Sequence, residues 1–516
     1  MSESHQSLVY PNDEYNRQLV ANVHPSDWVN PESTARYNLV VIGAGTAGLI
    51  TAVVAASLGA KVALIEKHLM GGDCLNVGCV PSKGMIRAAR VWADLRKASE
   101  FGLQIPPGVK YDFGSVMTRM RRLRARISQN DSAHRYATLG VDVYIGSGRF
   151  LGTDTIQVNG PAGDRILRFV KAAVCTGARA SEPSIPGLQE VGYLTNETVF
   201  SLTTLPQRIG VIGAGPIGCE LAQAFARFGS QVSLIEATHG ILPNEDRDAA
   251  AIVEQQMRRD SVQLLCCGQD LKIEKTSNGK RLTVDSHGQQ NDVTVDEILV
   301  AIGRTPNVEG IGLEAAGVDY DRNGIKVNAR LQTTNPKIYA AGDICSRYKF
   351  THAADAMAQI VIQNALFPHP LGLGYASVET WHMPWCTFTE PEIAHVGLYE
   401  RDAKGKGIEL ETYTYKLDEV DRAILDGEEE GFARVHIQKG TDRILGATIV
   451  AARAGDMISE FAVAMKAGGA KMIAGTIHPY PTQAEVNKKV VNLWRKAHFT
   501  SSTKKWLTKL FAWMRR

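Results

Sequence analysis

The first 36 residues are polar and interrupted by Pro11, Pro25 and Pro31, a pattern that predicts an arm without regular elements lying on the domain that follows. At Tyr37 the pattern changes. YNLVVI, from Tyr37 to Ile42, is a continuous apolar run suited to a buried parallel strand; Gly48 to Leu58 reads as an Ala/Val-rich helix, and Lys61 to Ile65 as a second strand. The same βαβ order recurs with a strand from Gln207 to Ile212, a glycine-rich turn, a helix to Phe228 and a strand from Gln231 to Ile235. After Pro384 the segments Phe432 to Ile437 and Leu445 to Ala451 alternate, and an Ala-rich helix runs from Asp456 to Gly468, predicting an α+β domain. In the last stretch, Thr503 to Arg516, helical spacing puts Trp506, Leu507, Leu510, Phe511 and Met514 on one face. Lys504, Lys505, Lys509 and the terminal arginines make the remainder basic, as do Lys488, Lys489, Arg495 and Lys496 upstream. That is the pattern of an interfacial helix able to touch anionic lipid reversibly, or of one packed on a partner subunit.

The recurrence predicts an α/β protein with two Rossmann-like dinucleotide domains and a closing α+β domain. We divide it into the arm 1–36, a first nucleotide domain 37–190, a second 191–310, a return to the first at 311–380, a C-terminal domain 381–497 and a basic amphipathic tail 498–516. With 516 residues, 44% of them hydrophobic, the chain is long enough for several packed cores. A formal net charge of +3 gives no argument for nucleic acid as a partner. The N-terminal residues lack a basic start followed by an apolar run, and no uninterrupted apolar stretch reaches spanning length, so a cytoplasmic location is the expectation. The cysteines at 74, 79, 175, 219, 266, 267, 345 and 386 are too unevenly spaced for a secreted disulfide framework. A close pair among them calls for chemistry.

Gly43, Gly45 and Gly48 form GxGxxG directly after a strand. Their missing side chains allow a tight turn and let a pyrophosphate approach backbone N–H groups at a helix start. Glu66, at the end of the next strand, stands where a carboxylate accepts hydrogen bonds from a ribose 2′-hydroxyl. Gly213, Gly215, Gly218 and Glu236 repeat this pattern at the same offsets. Glu236 would repel a 2′-phosphate, and Ala237 and Thr238 offer no cation, so the second site leans towards NADH over NADPH, with His239 the one residue able to soften that preference.

Between the first unit and its next helix stands GGDCLNVGCVPSK, carrying Cys74 and Cys79. Thiols at this spacing form a disulfide if Cys79 lies near a helix start, where the dipole and nearby cations also stabilise a thiolate. With GAGTAG at Gly43 to Gly48, CLNVGCVPSK, CTGA at Cys175 to Ala178, GAGPIG at Gly213 to Gly218, AIGRTPN at Ala301 to Asn307 and YAAGD at Tyr339 to Asp343, the chain resembles the group I pyridine nucleotide–disulfide oxidoreductases across residues 37 to 497. The resemblance implies FAD at Gly43, Gly45, Gly48, Glu66 and Gly177, with Gly342 and Asp343 at its ribityl and phosphate end. It implies NAD(P) at Gly213, Gly215, Gly218, Glu236 and Gly303. Lys83 would lie beside the flavin N5 and pair with Glu220; Cys79 would contact the flavin, and Cys74 would be the thiol that meets substrate. A homodimer is implied as well, with each C-terminal domain completing the other subunit's site.

One segment departs from the disulfide-reducing members. Where those carry a base histidine before Pro-Thr and a later glutamate, this chain reads IHPYPTQAE: Tyr480 stands at the histidine's place, Glu485 at the glutamate's, and His478 two residues early. A phenol with a pKa of about 10 is a poor base at neutral pH. Mercuric reductases are similar in carrying tyrosine here, so the expected acceptor is a soft metal ion such as Hg(II), held transiently at Cys74 and Cys79, with no structural metal. A disulfide reductase of the dihydrolipoamide dehydrogenase type is the alternative, and a membrane-docked flavoprotein with a mainly binding role is a further one. The N-terminal CxxC domain and C-terminal vicinal cysteines of many mercuric reductases are missing. The vicinal pair Cys266 and Cys267, in VQLLCCGQDL, reads as part of a core strand.

Overall fold

YNLVVI forms the strand Tyr37–Ile42, and its lack of polar alternation has a direct cause. In the computed structural model, which describes residues 8–161 and 163–516, this strand sits inside a sheet covered on both faces. Leu39 and Val41 enter one core with Ala52, Ala55 and Val361, while Val40 and Ile42 enter another with Phe150, Phe169 and Ile338. The sheet runs Val141–Ile145, Val62–Glu66, Tyr37–Ile42, Gly163–Val174, Thr155–Gly160, Ser147–Gly152, with Ile338–Ala340 also paired to Gly163–Val174. Tyr37–Ile42 pairs in parallel with both neighbours, as a βαβ crossover requires. The intervening helix is Thr46–Ser57.

Contacts divide the chain into two units: residues up to Ala237 together with Gln263–Trp381, and Thr238–Val262 together with His382–Arg516. In the first unit the second βαβ consists of Arg208–Ile212, Pro216–Phe228 and Gln231–Ile235, in a sheet ordered Val262–Leu265, Gln231–Ile235, Arg208–Ile212, Glu297–Val300. A three-stranded antiparallel meander, Gly268–Thr276, Gly279–Ser286 and Gln289–Val295, follows it.

Two sequence expectations need correction. The arm, whose first seven residues lie outside the described residues, contains a helix, Glu14–Val23. Pro11 and Pro25 bracket that helix rather than break it; Asp13 caps it by accepting from the Asn16 N–H at 2.8 Å, and Leu19 and Val23 are buried in the first core. Arg124 reaches Asn16 Oδ1 at 2.7 Å, tying the arm down. The second correction concerns the vicinal cysteines. Their strand stops at Leu265, leaving Cys266 buried and Cys267 half-buried in the turn before Gly268, with Cys267 in the left-handed region at φ 55°.

The second unit is built on an antiparallel sheet ordered Pro384–Thr387, Glu392–Gly397, Ile444–Ala451, Phe432–Gln438, Leu410–Lys416. The Ala-rich segment forms two short helices, Ala454–Met457 and Ser459–Ala467. The helix Arg247–Arg259 belongs to this unit. Just before it, buried Glu245 accepts from Trp385 Nε1 at 2.8 Å and from the Tyr399 hydroxyl; Arg434 meets Asp246 at 3.2 Å and also pairs with Asp248. The tail forms the helix Ser501–Met514, capped by Thr500, with no buried residue and with Trp506, Phe511, Trp513 and Met514 exposed. Among the described residues no helix is long and apolar enough to cross a membrane.

Candidate active site

Both glycine loops are shaped by what their backbones must clear. Gly43 has φ +100°, and a Cβ there would stand 2.4 Å from the Cys175 carbonyl oxygen; Gly213 has φ +102° and would meet the Ala301 oxygen at 2.6 Å. Each loop is locked by its own acid: Glu66 accepts from the Ala44 N–H at 2.7 Å, and Glu236 from the Ala214 N–H at 2.7 Å. Glu66 also accepts from the His68 N–H at 2.8 Å. Burial raises its pKa, opposed by those N–H groups and by Lys67.

The helices that follow, Thr46–Ser57 and Pro216–Phe228, start at Gly45 and Gly215 with no side-chain cap, whereas Glu14–Val23 and Phe113–Ser128 are capped by Asp13 and Asp112. An N-terminus flanked by glycine and lacking a side-chain acceptor suits an anion such as a pyrophosphate. The two sites therefore fit dinucleotides by shape and by donor set.

Cys74 lies in the short helix Gly72–Asn76, and Cys79 is the first residue of the 18-residue helix Cys79–Arg96. The spacing thus returns the second thiol to the first at a helix start. The two sulfurs hydrogen-bond, which lowers the pKa of Cys79 and raises that of Cys74. Thr351 Oγ1, 3.4 Å from the Cys79 sulfur, and the Lys83 ammonium lower Cys79 further, while burial opposes them and adds to the rise at Cys74. The asymmetry favours ionisation of Cys79 over Cys74.

Lys83, one turn along the same helix, donates to Glu220 Oε2 at 2.8 Å; Glu220 is buried in the helix Pro216–Phe228. The structure thus joins two residues that the sequence separates by more than a hundred positions. Asp343 lies within 3.2 Å of Arg304 Nε, and Arg304 also pairs with Asp73, the residue before Cys74. Burial raises the Asp343 pKa against the pull of Arg304 and Lys349. Gly342, at φ +87°, donates its N–H to Met357 Sδ at 3.2 Å. Gly177, at φ +66°, accepts from Asn307 N at 3.0 Å, and Gly303, at φ +127°, accepts from Ser181 N at 3.1 Å.

Sequence reasoning missed Thr351, Arg304 and Asp73. Arg304 sits inside a quoted motif, but its two carboxylate partners come from two other motifs, and no spacing rule pairs them. Thr351 opens the helix Thr351–Leu366 just beyond YAAGD, where a hydroxyl at a helix start was the available signal.

In the second unit Tyr480 is 70% exposed and donates its hydroxyl to Asp421 Oδ2 at 2.8 Å, a bond that raises its pKa. Glu485 pairs with Lys489 at 2.6 Å. His478, with a side chain only 8% exposed, meets Glu460 at 2.8 Å, and Glu460 also accepts from Asn487 Nδ2 at 2.8 Å. The carboxylate beside the histidine is therefore Glu460, not Glu485.

Two dinucleotide folds in one chain, with a thiol pair at a helix start behind the first, define an oxidoreductase that moves electrons between a nicotinamide, a flavin and sulfur. The comparisons agree. Residues 37–358 match the pyridine nucleotide-disulphide oxidoreductase family and residues 383–491 its dimerisation domain, and the chain belongs to that family. It is similar to mercuric reductase of Staphylococcus aureus, with 34% identity over 451 residues covering 87% of this chain and 81% of the relative. It is also similar to a dihydrolipoyl dehydrogenase of Bacillus subtilis, with 33% identity over 466 residues covering 87% and 96%. Among solved structures, a Cu(II) complex of the HOCl-induced flavoprotein disulfide reductase RclA from Escherichia coli superposes with a TM-score of 0.78 at 28% identity, covering 89% of this chain and 100% of that one. The protein is an FAD-dependent NAD(P)H oxidoreductase, and its dimerisation domain supports a homodimer.

Proposed function

We propose that the chain reduces a thiophilic metal ion such as Hg(II), with NADH as the favoured donor. The observation that carries this reading is the contrast between Tyr480, exposed with its hydroxyl at the surface, and His478, enclosed beside Glu460. A disulfide substrate needs a base to manage the interchange thiol's proton; a metal ion bound by two thiolates does not. The net change balances as NADH and a divalent ion giving NAD+, the reduced metal and one proton.

FAD, when bound, supplies two-electron transfer from the nicotinamide to sulfur. The chain supplies the rest. Gly43, Gly45, Gly48, Glu66, Gly177, Gly342 and Asp343 hold FAD, while Gly213, Gly215, Gly218, Glu236 and Gly303 hold the nicotinamide dinucleotide. Lys83, positioned by Glu220, keeps a cation where negative charge grows. Cys79, stabilised by its helix start, Thr351 and Lys83, is the electron-accepting sulfur; Cys74 meets the ion, and Tyr480, oriented by Asp421, is its polar neighbour from the partner subunit. The cysteine usage fits a cytoplasmic setting.

The test is NADH oxidation by FAD-loaded protein with Hg(II) and excess thiol, beside oxidised lipoamide and glutathione disulfide, with a Cys79→Ala control. Mercury-dependent turnover that disappears in the control supports the reading. Turnover with a disulfide alone, lost in His478→Ala, would replace it with a disulfide reductase whose base is the His478–Glu460 couple. For the tail we propose reversible contact with anionic lipid, on the exposed Trp506, Phe511 and Trp513 beside Lys504, Lys505 and Lys509. Co-sedimentation with phosphatidylglycerol vesicles that survives deletion of residues 501–516 would refute it.

A further inference from the structure

A second sulfur-rich cluster lies in the nucleotide domain itself. The strand Val262–Leu265 ends at Cys266, and the meander that begins at Gly268 folds back so that Gly268 pairs with Ser286. The register carries His287, at the tip of the hairpin between Gly279–Ser286 and Gln289–Val295, onto the two cysteines. Cys266 Sγ is 3.2 Å from His287 Nε2, and the Cys266, Cys267 and His287 ligand atoms lie within 4.8 Å of one another. A core strand would have sent adjacent side chains to opposite faces. Here the left-handed backbone at Cys267, φ 55°, turns its sulfur to the same side.

The surroundings fix this arrangement. Ser286 Oγ donates to the Cys266 carbonyl at 2.7 Å, clamping the hairpin tip to the cysteine turn. His287 is itself held in the left-handed region, φ 56°, and Gly288 N–H donates to Asp285 Oδ1 at 2.8 Å to close the tip. Glu236 N–H bonds the Leu265 carbonyl at 3.0 Å, and Gly268 N–H bonds the Glu236 carbonyl at 2.8 Å, so the turn is stitched to the end of the neighbouring strand. Two non-glycine residues in a sparsely occupied conformation, flanked by hydrogen-bonded neighbours and converging through their side chains, form a pre-organised donor set.

We propose that Cys266, Cys267 and His287 bind a thiophilic d10 cation of the Zn(II), Cd(II) or Hg(II) class, at a site separate from the Cys74–Cys79 centre. Two soft thiolates and a borderline imidazole select such an ion over oxygen-seeking Mg(II) or Ca(II). A further donor completes a tetrahedral shell. Binding is a ligand exchange without redox change: two S–H bonds break, two sulfur–metal bonds form and two protons leave. The site stands whether the enzyme's acceptor is a metal or a disulfide.

The experiment uses the full-length, FAD-loaded dimer carrying Cys74→Ser and Cys79→Ser, which removes the competing thiol pair, under anaerobic conditions with Cd(II) as the probe. One cadmium per chain is expected by equilibrium dialysis, with thiolate-to-cadmium charge-transfer absorption. Adding Cys266→Ser or Cys267→Ser abolishes that absorption, and His287→Ala weakens binding by at least the ~10-fold that loss of even an outer-sphere partner costs. Retained flavin absorbance in each variant shows that the fold survives. Without further substitution, cadmium must also protect the half-buried Cys267 from iodoacetamide, as read by peptide mass spectrometry. Absence of cadmium uptake, uptake indifferent to Cys266→Ser and Cys267→Ser, or no protection of Cys267 would each overturn the proposal.

Discussion

At Gly48 a Cβ would stand 1.8 Å from the Gly43 carbonyl oxygen; at Gly218 it would stand 1.9 Å from that of Gly213. The two nucleotide units repeat one another this closely at their outer glycines and differ at the middle one. Around Gly215 nothing lies within 4 Å of the place a Cβ would take, whereas Gly45 faces the backbone of Gly72, which opens the helix carrying Cys74. The first loop is thus built into the redox centre, while the second is open on that side. If, as proposed, the first loop holds FAD and the second the nicotinamide dinucleotide, one glycine code serves a cofactor that stays and a coenzyme that comes and goes, and the contrast lies in what packs against the code.

The largest expected effect comes from breaking each loop in turn. Gly48→Ala places a methyl where only backbone fits and yields protein that loses its yellow colour on desalting. Gly218→Ala retains FAD but slows its reduction by NADH about 100-fold, the scale of a 1 Å misplacement, as followed by anaerobic stopped-flow absorbance. Equal loss of FAD in both variants would remove the distinction. Next in size, Lys83→Met slows the same reduction by about 10- to 100-fold by withdrawing a positive charge from a developing negative one. Glu220→Gln, which leaves the lysine present but less firmly held, has a smaller effect.

The thiol asymmetry gives a pH test. Because the Cys79 pKa is depressed, its thiolate forms as pH rises through a value below the ordinary thiol range, so in FAD-stripped protein iodoacetamide labels Cys79 before Cys74 in a pH series. Thr351→Val and Lys83→Met each remove a lowering influence and shift the Cys79 labelling midpoint upward; a midpoint unmoved in both would show that the helix start and Cys74 suffice. The smallest effect is at Glu236. Withdrawing its charge in Glu236→Gln, which keeps an oxygen to accept the Ala214 N–H, narrows the ratio of kcat/KM for NADH over NADPH by about tenfold, or 1.4 kcal/mol.

Much of the fold could be read from the sequence because buried parallel strands and glycine loops leave local marks: YNLVVI needs two covered faces, and Gly43 and Gly48 need contacts that exclude a Cβ. The arm's helix was missed because proline reads as a breaker unless its position relative to a cap is weighed, and Asp13 after Pro11 was that cap. The vicinal cysteines were misread because the run VQLLCC continues the apolar pattern of a strand past the residue where pairing ends; only the left-handed turn at Cys267 reveals the stop. Lys83 and Glu220 could be paired only through the family resemblance, and Glu460 as the partner of His478 could not be read at all, since partners far apart in sequence leave no spacing to recognise.

Glu245, held by Trp385 and Tyr399, carries one more consequence. The segment 238–262 is interleaved in sequence with the nucleotide domain, yet it folds as part of the C-terminal unit. The C-terminal stretch from residue 382 is therefore not a cassette. Exchanging residues from 382 onward with those of a relative would strand a buried carboxylate and two aspartates away from the indole, phenol and guanidinium that evolved to meet them. A working chimera must carry both stretches across together.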